Sequence, residues 1–231
     1  MSAPPTALES RLGHVFRDRT LLETALTHPS YLQANPGAGE SNQRLEFLGD
    51  AVLQLILTSE LFARFPAERE GALSKRRAAI TKGGFLARLA REIGLDAGLR
   101  LSPSEEQTGG RDRASALEDA FEALVGALFL DSDLETASRI ILGLYGPLDA
   151  RLDEVVDAEN PKGRLQELVQ PEHGNTALRY DTVHISGEDH AREYESRLYL
   201  LDALIGTGRG PSKKTAEEAA ARAALAARRE T

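Results

Sequence analysis

Apolar residues over the first two thirds of the chain recur at helical spacing. In SNQRLEFLGDAVLQLIL, residues 41 to 57, a turn of about 100° per residue gathers Leu45, Leu48, Val52, Leu55 and Ile56 into one stripe. Glu46 and Asp50, four apart, share a line with Leu53 and Leu57, so this helix is apolar nearly all round. It stops at Phe65-Pro66, since a residue before proline is driven out of the helical region. An earlier helix covers about 20 to 28, with Leu22, Ala25 and Leu26 on one side, and ends before Pro29; a loop with Pro36, Gly37 and Gly39 follows. Further helical segments are broken at Gly83-Gly84 and Gly94, and SPSEEQTGGRDR reads as a polar loop. The next helix, from about 116 to 130, has a core stripe of Leu117, Phe121, Leu124 and Leu128. Ser115 and Glu118 fit the S-x-x-E capping box that would start it. Asp133 caps a following helix, which Gly146-Pro147 ends.

Around DAENPKG the texture changes, and Pro161 suits the first turn of a new helix. Beyond that helix REYESRLYL alternates, with Tyr194, Ser196, Leu198 and Leu200 facing one way and Glu193, Glu195 and Arg197 the other. That is a strand pattern; LRYDTVHI before it is a weaker one and DALIGTG a short third. The chain closes on a helix, SKKTAEEAAARAALAARR, whose Ala216, Ala219, Ala220, Ala223 and Ala224 form a small-residue face. The pattern predicts a multidomain chain: an all-α unit over 1–156, a linker over 157–160, and an α-β-β-β-α (α+β) unit over 161–231.

Charge sharpens this division. The formal net charge is −8. Residues 160 to 231 hold 11 basic and 11 acidic side chains, so the other 17 basic and 25 acidic ones lie in the first unit. Acid excess argues against nucleic acid for the chain as a whole, but a neutral second unit binds phosphate if its basic groups cluster. There is no cysteine, which excludes disulfides and thiolate metal sites and fits a reducing cytoplasm. No apolar run reaches the ~18 to 20 residues of a membrane span. The start, MSAPPTALESRLG, lacks the basic head and apolar centre of a signal peptide.

Glu46 and Asp50 therefore need a reason. A buried carboxylate must be paired, protonated or bound to a cation, because burying it alone costs several kcal/mol. Asp119 and Glu122, three apart on the second apolar helix, repeat the pattern, and no basic run at helical spacing neutralises either pair. Together the two helices offer four oxygen ligands, a set that suits Mg²⁺. Partly exposed acids in surface ion pairs are the competing explanation, and spacing alone leaves the two about even.

In the second unit Lys213 and Lys214 follow Ser212, the N-cap of the last helix. Cations are disfavoured there by the helix dipole, and they make sense if a phosphate arrives at the same amides. The glycines of GTGRGPSKK, Gly206, Gly208 and Gly210, would allow close backbone approach. A P-loop is excluded, because the lysines follow the serine. His28 and His173 lack the companions of a triad or zinc site and fit packing or capping.

QRLEFLGDAVL resembles the signature of the ribonuclease III family, and LEDAFEALVGALFLD its second acidic helix. NPKGRLQELVQ, GEDHAREYE and GTGRGPSKKTAEEAAARAAL resemble the first helix, a turn and the last helix of a double-stranded RNA-binding domain. The resemblance covers nearly the whole chain, in the bacterial domain order. It implies a homodimeric endoribonuclease that cleaves double-stranded RNA with Mg²⁺, or Mn²⁺ in its place, leaving 5′-phosphate and 3′-hydroxyl ends with short 3′ overhangs. Ribosomal RNA precursors and structured messenger RNAs are the substrates it suggests, and the cytoplasm the location. It assigns Glu46, Asp50, Asp119 and Glu122 as metal ligands, with Asp50 and Glu122 central to catalysis. Phe47 matches an aromatic that plugs into the partner subunit, and Glu70 a further acid near substrate or a second metal. Gln166 and His190 match minor-groove contacts, and Ser212, Lys213 and Lys214 a phosphate anchor. Gln43 stands where most members have Glu, and Gly163 replaces a more usual polar residue. A duplex-binding homologue that does not cut, and a helical hydrolase of small phosphate esters, are the rival readings.

Overall fold

In a computed structural model residues 6–187 and 192–229 are described, and they divide into two compact units, Met1–Arg151 and Leu152–Thr231. The first unit is helical. Short helices α1 (Ala7–Leu12), α2 (Arg19–Ala25) and α3 (Pro29–Ala34) lead to the long α4 (Gln43–Arg64). Then come α5 (Glu70–Thr81), α6 (Gly83–Glu92), α7 (Leu95–Gly98), α8 (Pro103–Gln107), α9 (Ala114–Asp131) and α10 (Leu134–Tyr145), while α11 (Leu148–Glu159) runs across the division into the second unit. Two of these were not anticipated. α3 and α8 are one to two turns long, too short for a periodic signal, and each opens with proline at its first position. Residues 157–159, anticipated as linker, form the last turn of α11.

The core is organised on α9, which packs against α2, α4, α6 and α10. Its stripe of Leu117, Phe121, Leu124 and Leu128 is fully buried, as the periodicity required. On α4 the inward line is Leu45, Gly49, Val52, Leu53, Ile56, Leu57 and Leu61. Leu55, placed by periodicity in the core stripe, is 50% exposed; apolarity all round the helix hides which side meets α9. The two helices touch through glycines. A Cβ at Gly49 would run into the carbonyl of Glu122 and lie 2.8 Å from the Gly126 nitrogen, and one at Gly126 would strike the Leu45 carbonyl. Any larger residue would hold the two backbones apart.

Polar groups fix the ends of this core. Tyr145 is buried, donates from its hydroxyl to the Ile80 carbonyl at 3.0 Å and stacks on Phe85. Asp131, at the end of α9, accepts hydrogen bonds from the backbone of Arg17 and Asp18 and pairs with His14 at 2.8 Å. Burial opposes ionisation of Asp131, but those hydrogen bonds outweigh it and hold its carboxyl below the usual range.

The second unit adds α12 (Pro161–His173), β1 (Leu178–Ser186), β2 (Glu193–Leu200), β3 (Ala203–Gly210) and α13 (Lys213–Arg229). The strands form an antiparallel sheet in the order β1-β2-β3, with Tyr180 opposite Leu198 and Leu198 opposite Gly206. Leu165 and Val169 of α12, Leu198 of β2, and Ala220, Ala221, Ala224 and Leu225 of α13 make its core. Ala223, placed on the small-residue face by the pattern, is exposed; the buried face rotates to include Ala221 and Leu225.

Candidate active site and nucleic-acid interface

The glycine contact of α4 and α9 sets Glu46 and Asp50 beside Asp119 and Glu122. Glu46, Asp119 and Glu122 are half-buried, whereas Asp50 is exposed and accepts from Gln54 Nε2 at 3.3 Å. Glu46, Asp119 and Glu122 are all shifted upward. Burial and then the charges of Asp50, Glu118, Glu46 and Asp119 push the Glu122 carboxyl up to about 8. Burial, with Asp119, Glu118 and Asp50, raises Glu46. Asp119 is raised by burial, against a lowering pull from His28. Among the described residues the charged groups that shift Glu46 and Glu122 are all carboxylates.

Sequence reasoning missed three neighbours of this cluster. The N-cap of the helix is Arg113, two residues before Ser115, so the anticipated Ser115–Glu118 capping box does not form and Glu118 joins the acids instead. The spacing of 118 and 122, one helical turn, is the signal that would have found it. His28 caps α3 by accepting from the Ser30 amide at Nδ1, and it also pulls the Asp119 carboxyl downward. Asn42, one turn before Glu46, is 1% exposed, and its amide nitrogen and oxygen have no partner among the described residues. Such a buried amide is costly unless water or a ligand satisfies it.

The donor set is all oxygen, hard and negative, which fits a divalent cation such as Mg²⁺. Among the described residues no three of these side chains close into a metal cage as they stand. Glu70 lies elsewhere, exposed at the start of α5, accepting from Ser74 at 2.9 Å. Gln43, the first residue of α4, is exposed beside Ser41. Phe47 is 83% exposed on the outer side of α4, at a groove of about 900 Å³ lined also by Leu21, Thr24, Leu48 and Leu130.

In the second unit Ser212 caps α13, its hydroxyl accepting from the Thr215 amide at 3.2 Å. Lys213 and Lys214 project from the first turn, both exposed, with Lys214 at 3.9 Å from Glu218. The lysines thus stand beside the capped start of the helix.

A family model described as "Ribonuclease-III-like" matches residues 18–147, and one described as "Double-stranded RNA binding motif" matches residues 161–227. The Ribonuclease 3 of Heliobacterium modesticaldum is 44% identical over 222 residues, 96% of this chain and 94% of that protein. The Ribonuclease 3 of Pseudomonas putida is 44% identical over 98% of this chain and 96% of its own. The chain belongs to the ribonuclease III family. Its first unit is the endoribonuclease domain of that family. A solved nuclease domain of ribonuclease III from Campylobacter jejuni, in a work on the region involved in its dimer formation, superimposes with a TM-score of 0.56. It is 41% identical and covers 60% of this chain and 93% of its own.

Within the ribonuclease III frame, the remaining motif residues of the second unit take specific places. Gln166 is partly exposed on α12 and donates to the Asn175 carbonyl at 3.3 Å. His190 falls outside the described residues. The glycines of β3 do not face a ligand: Cβ atoms at Gly206 and Gly208 would strike the backbone of α13 near Ala220 and Ala216. They are there for helix-on-sheet packing. Gly163 donates to Asn160 Oδ1 at 3.1 Å, and the capping side chain fills the space of a Cβ. The helices are tied by Lys162, which pairs with Glu217 at 2.5 Å and lies over the Tyr180 ring.

Proposed function

We propose that this protein is a Mg²⁺-dependent endoribonuclease that hydrolyses phosphodiester bonds in double-stranded RNA, with Mn²⁺ able to substitute. The observation that carries the proposal is the glycine-mediated contact of α4 and α9, which brings two acid pairs from separate helices into one cluster of mutually repelling carboxylates. Glu46, Asp50, Asp119 and Glu122 would hold the cation. Once bound, the cation supplies an activated water and charge stabilisation for the phosphoryl transition state. The carboxylates orient the attack in line with the leaving 3′-oxygen, so the products are a 5′-phosphate and a 3′-hydroxyl with short 3′ overhangs. Asp50 and Glu122 carry most of this work. Gln43 and Glu70 are accessory positions, Glu70 apart from the four carboxylates at the start of α5, and the amide of Gln43 contributes hydrogen bonding without charge.

Cutting both strands needs two such clefts, which a two-fold homodimer provides. Phe47 and the groove beside it are the self-complementary contact. Domains spanning 1–156 and 161–231, joined by 157–160, divide the labour. In the second, Gln166 and His190 reach the shallow minor groove of A-form RNA, while Ser212, Lys213 and Lys214 grip phosphates across the major groove. Ribosomal RNA precursors and structured messenger RNAs in the cytoplasm are the natural substrates. No helix among the described residues is long and apolar enough to cross a membrane.

A single substitution tests the assignment. Glu122→Gln should abolish cleavage of a duplex while leaving duplex binding intact in a gel-shift assay. Cleavage near the wild-type rate would sink the assigned site.

A further inference from the structure

The second turn of α9 carries an acid that neither capping nor the four-carboxylate set accounts for. Glu118 sits next to Asp119 and one helical turn before Glu122. Like charges four apart on a helix repel, so stability alone does not explain the pair. The Glu118 carboxylate lies against Gly83, the first residue of α6. A Cβ at Gly83 would come within 2.7 Å of its Cδ and 3.0 Å of its Oε1. α6 has no side-chain cap of its own, because Lys82 precedes it in extended conformation without a capping hydrogen bond. A helix N-terminus favours a negative charge at that place. The carboxylate is thereby seated between the start of α6 and the acids of α4 and α9, and its charge acts on both Glu46 and Glu122.

We infer that Glu118 is a fifth carboxylate of the acidic cleft, seated on Gly83 at the start of α6, that tightens the hold of the cleft on a divalent cation. The inference rests on the proposed reading of the cleft as a metal site. Glu118 acts through its charge from a fixed position, as a positioning residue for the cation, and takes no ligand place from the other four. The contact with Gly83 explains why a glycine opens α6.

Titration calorimetry of the full chain with Mg²⁺ alone is the test. Glu118→Gln should bind Mg²⁺ roughly threefold to tenfold more weakly than wild type, the effect of one unit charge near a divalent ion at high dielectric. The Mg²⁺ concentration for half-maximal cleavage of an RNA duplex should rise by the same factor. Affinity within 1.5-fold (about the precision of the titration) of wild type would overturn the inference. Wild-type protein that takes up no Mg²⁺ at millimolar concentration would instead overturn the metal-site reading on which it rests. The seat on Gly83 is tested without metal, by thermal unfolding in EDTA. Alanine is a better helix former than glycine. Gly83→Ala should nevertheless lower the unfolding temperature of wild type, and preserve or raise it in a Glu118→Ala background. Equal effects in both backgrounds would show that the two residues do not couple, and would overturn the seat.

Discussion

Replacing Glu122 by glutamine should make the metal-free protein more stable while removing its activity. The Glu122 carboxyl is pushed up to about 8 from an ordinary value of 4.5, first by burial and then by the surrounding acids. Between those two values the folded chain holds a proton that the unfolded chain has released. Stability contributed by the protonated group is therefore complete below about pH 4.5 and is lost as pH rises through about 8. At pH 7 the solution lies about 2.5 pH units above the unfolded value, an upper bound of about 3 kcal/mol at 1.36 kcal/mol per unit. The side chain is only half-buried, so screening by water reduces this to about 1 to 2 kcal/mol. Glutamine has no proton to bind and escapes the cost. Thermal unfolding of the nuclease unit in EDTA at pH 7 should therefore shift upward by about 3–6 °C. The wild-type midpoint should fall between pH 5 and 8 more steeply than that of the variant. Added Mg²⁺ should stabilise wild type and reverse the order, because glutamine is the poorer ligand. A variant that unfolds at or below the wild-type temperature in EDTA would refute the reasoning.

Three further outcomes follow from the same geometry. Gly49→Ala places a methyl against the Glu122 carbonyl; it should cost about 3 kcal/mol in denaturant unfolding and lower cleavage with it. Lys213→Ala with Lys214→Ala should weaken duplex binding and reduce the slope of log affinity against log salt by about 2, and an unchanged slope would exclude a phosphate role. Phe47→Ala removes an exposed ring from the proposed self-contact, and sedimentation should show a dimer weakened by at least about tenfold, or 1.4 kcal/mol.

How far the sequence could be read depended on the kind of signal. On α9 the apolar stripe is bounded by polar positions, and all four residues named from it are buried. On α4 apolar residues surround the helix, so periodicity could not separate the side that meets α9 from the side bearing Phe47, Leu55 and Phe62, which are exposed. The strands were legible because alternation put Ser196 and Leu198 on one face, and both are fully buried. Glycines were harder. Gly206 and Gly208 suggested an approach to a ligand, yet what they accommodate is the backbone of α13 around Ala216 and Ala220, a contact that strand alternation does not reveal. Gly49 and Gly126 drew no notice at all, although they decide how close the acid-bearing helices come. Glu118 was misread for a related reason. A capping box is a local pattern, and its assignment fails when the helix starts two residues early. Glu46, Asp50, Asp119 and Glu122 could be singled out because charge in an apolar run needs a cause; their neighbours His28 and Asn42 could not, because each sits in an ordinary polar context.

The most direct measurement is cleavage of an end-labelled RNA duplex, beside matched single-stranded RNA and duplex DNA, each with Mg²⁺ and with EDTA. The acidic cleft and the basic helix end together predict cutting of the RNA duplex alone, dependent on Mg²⁺, with 5′-phosphate products bearing short 3′ overhangs. Tight duplex binding with no cutting in Mg²⁺ or Mn²⁺ would contradict the account.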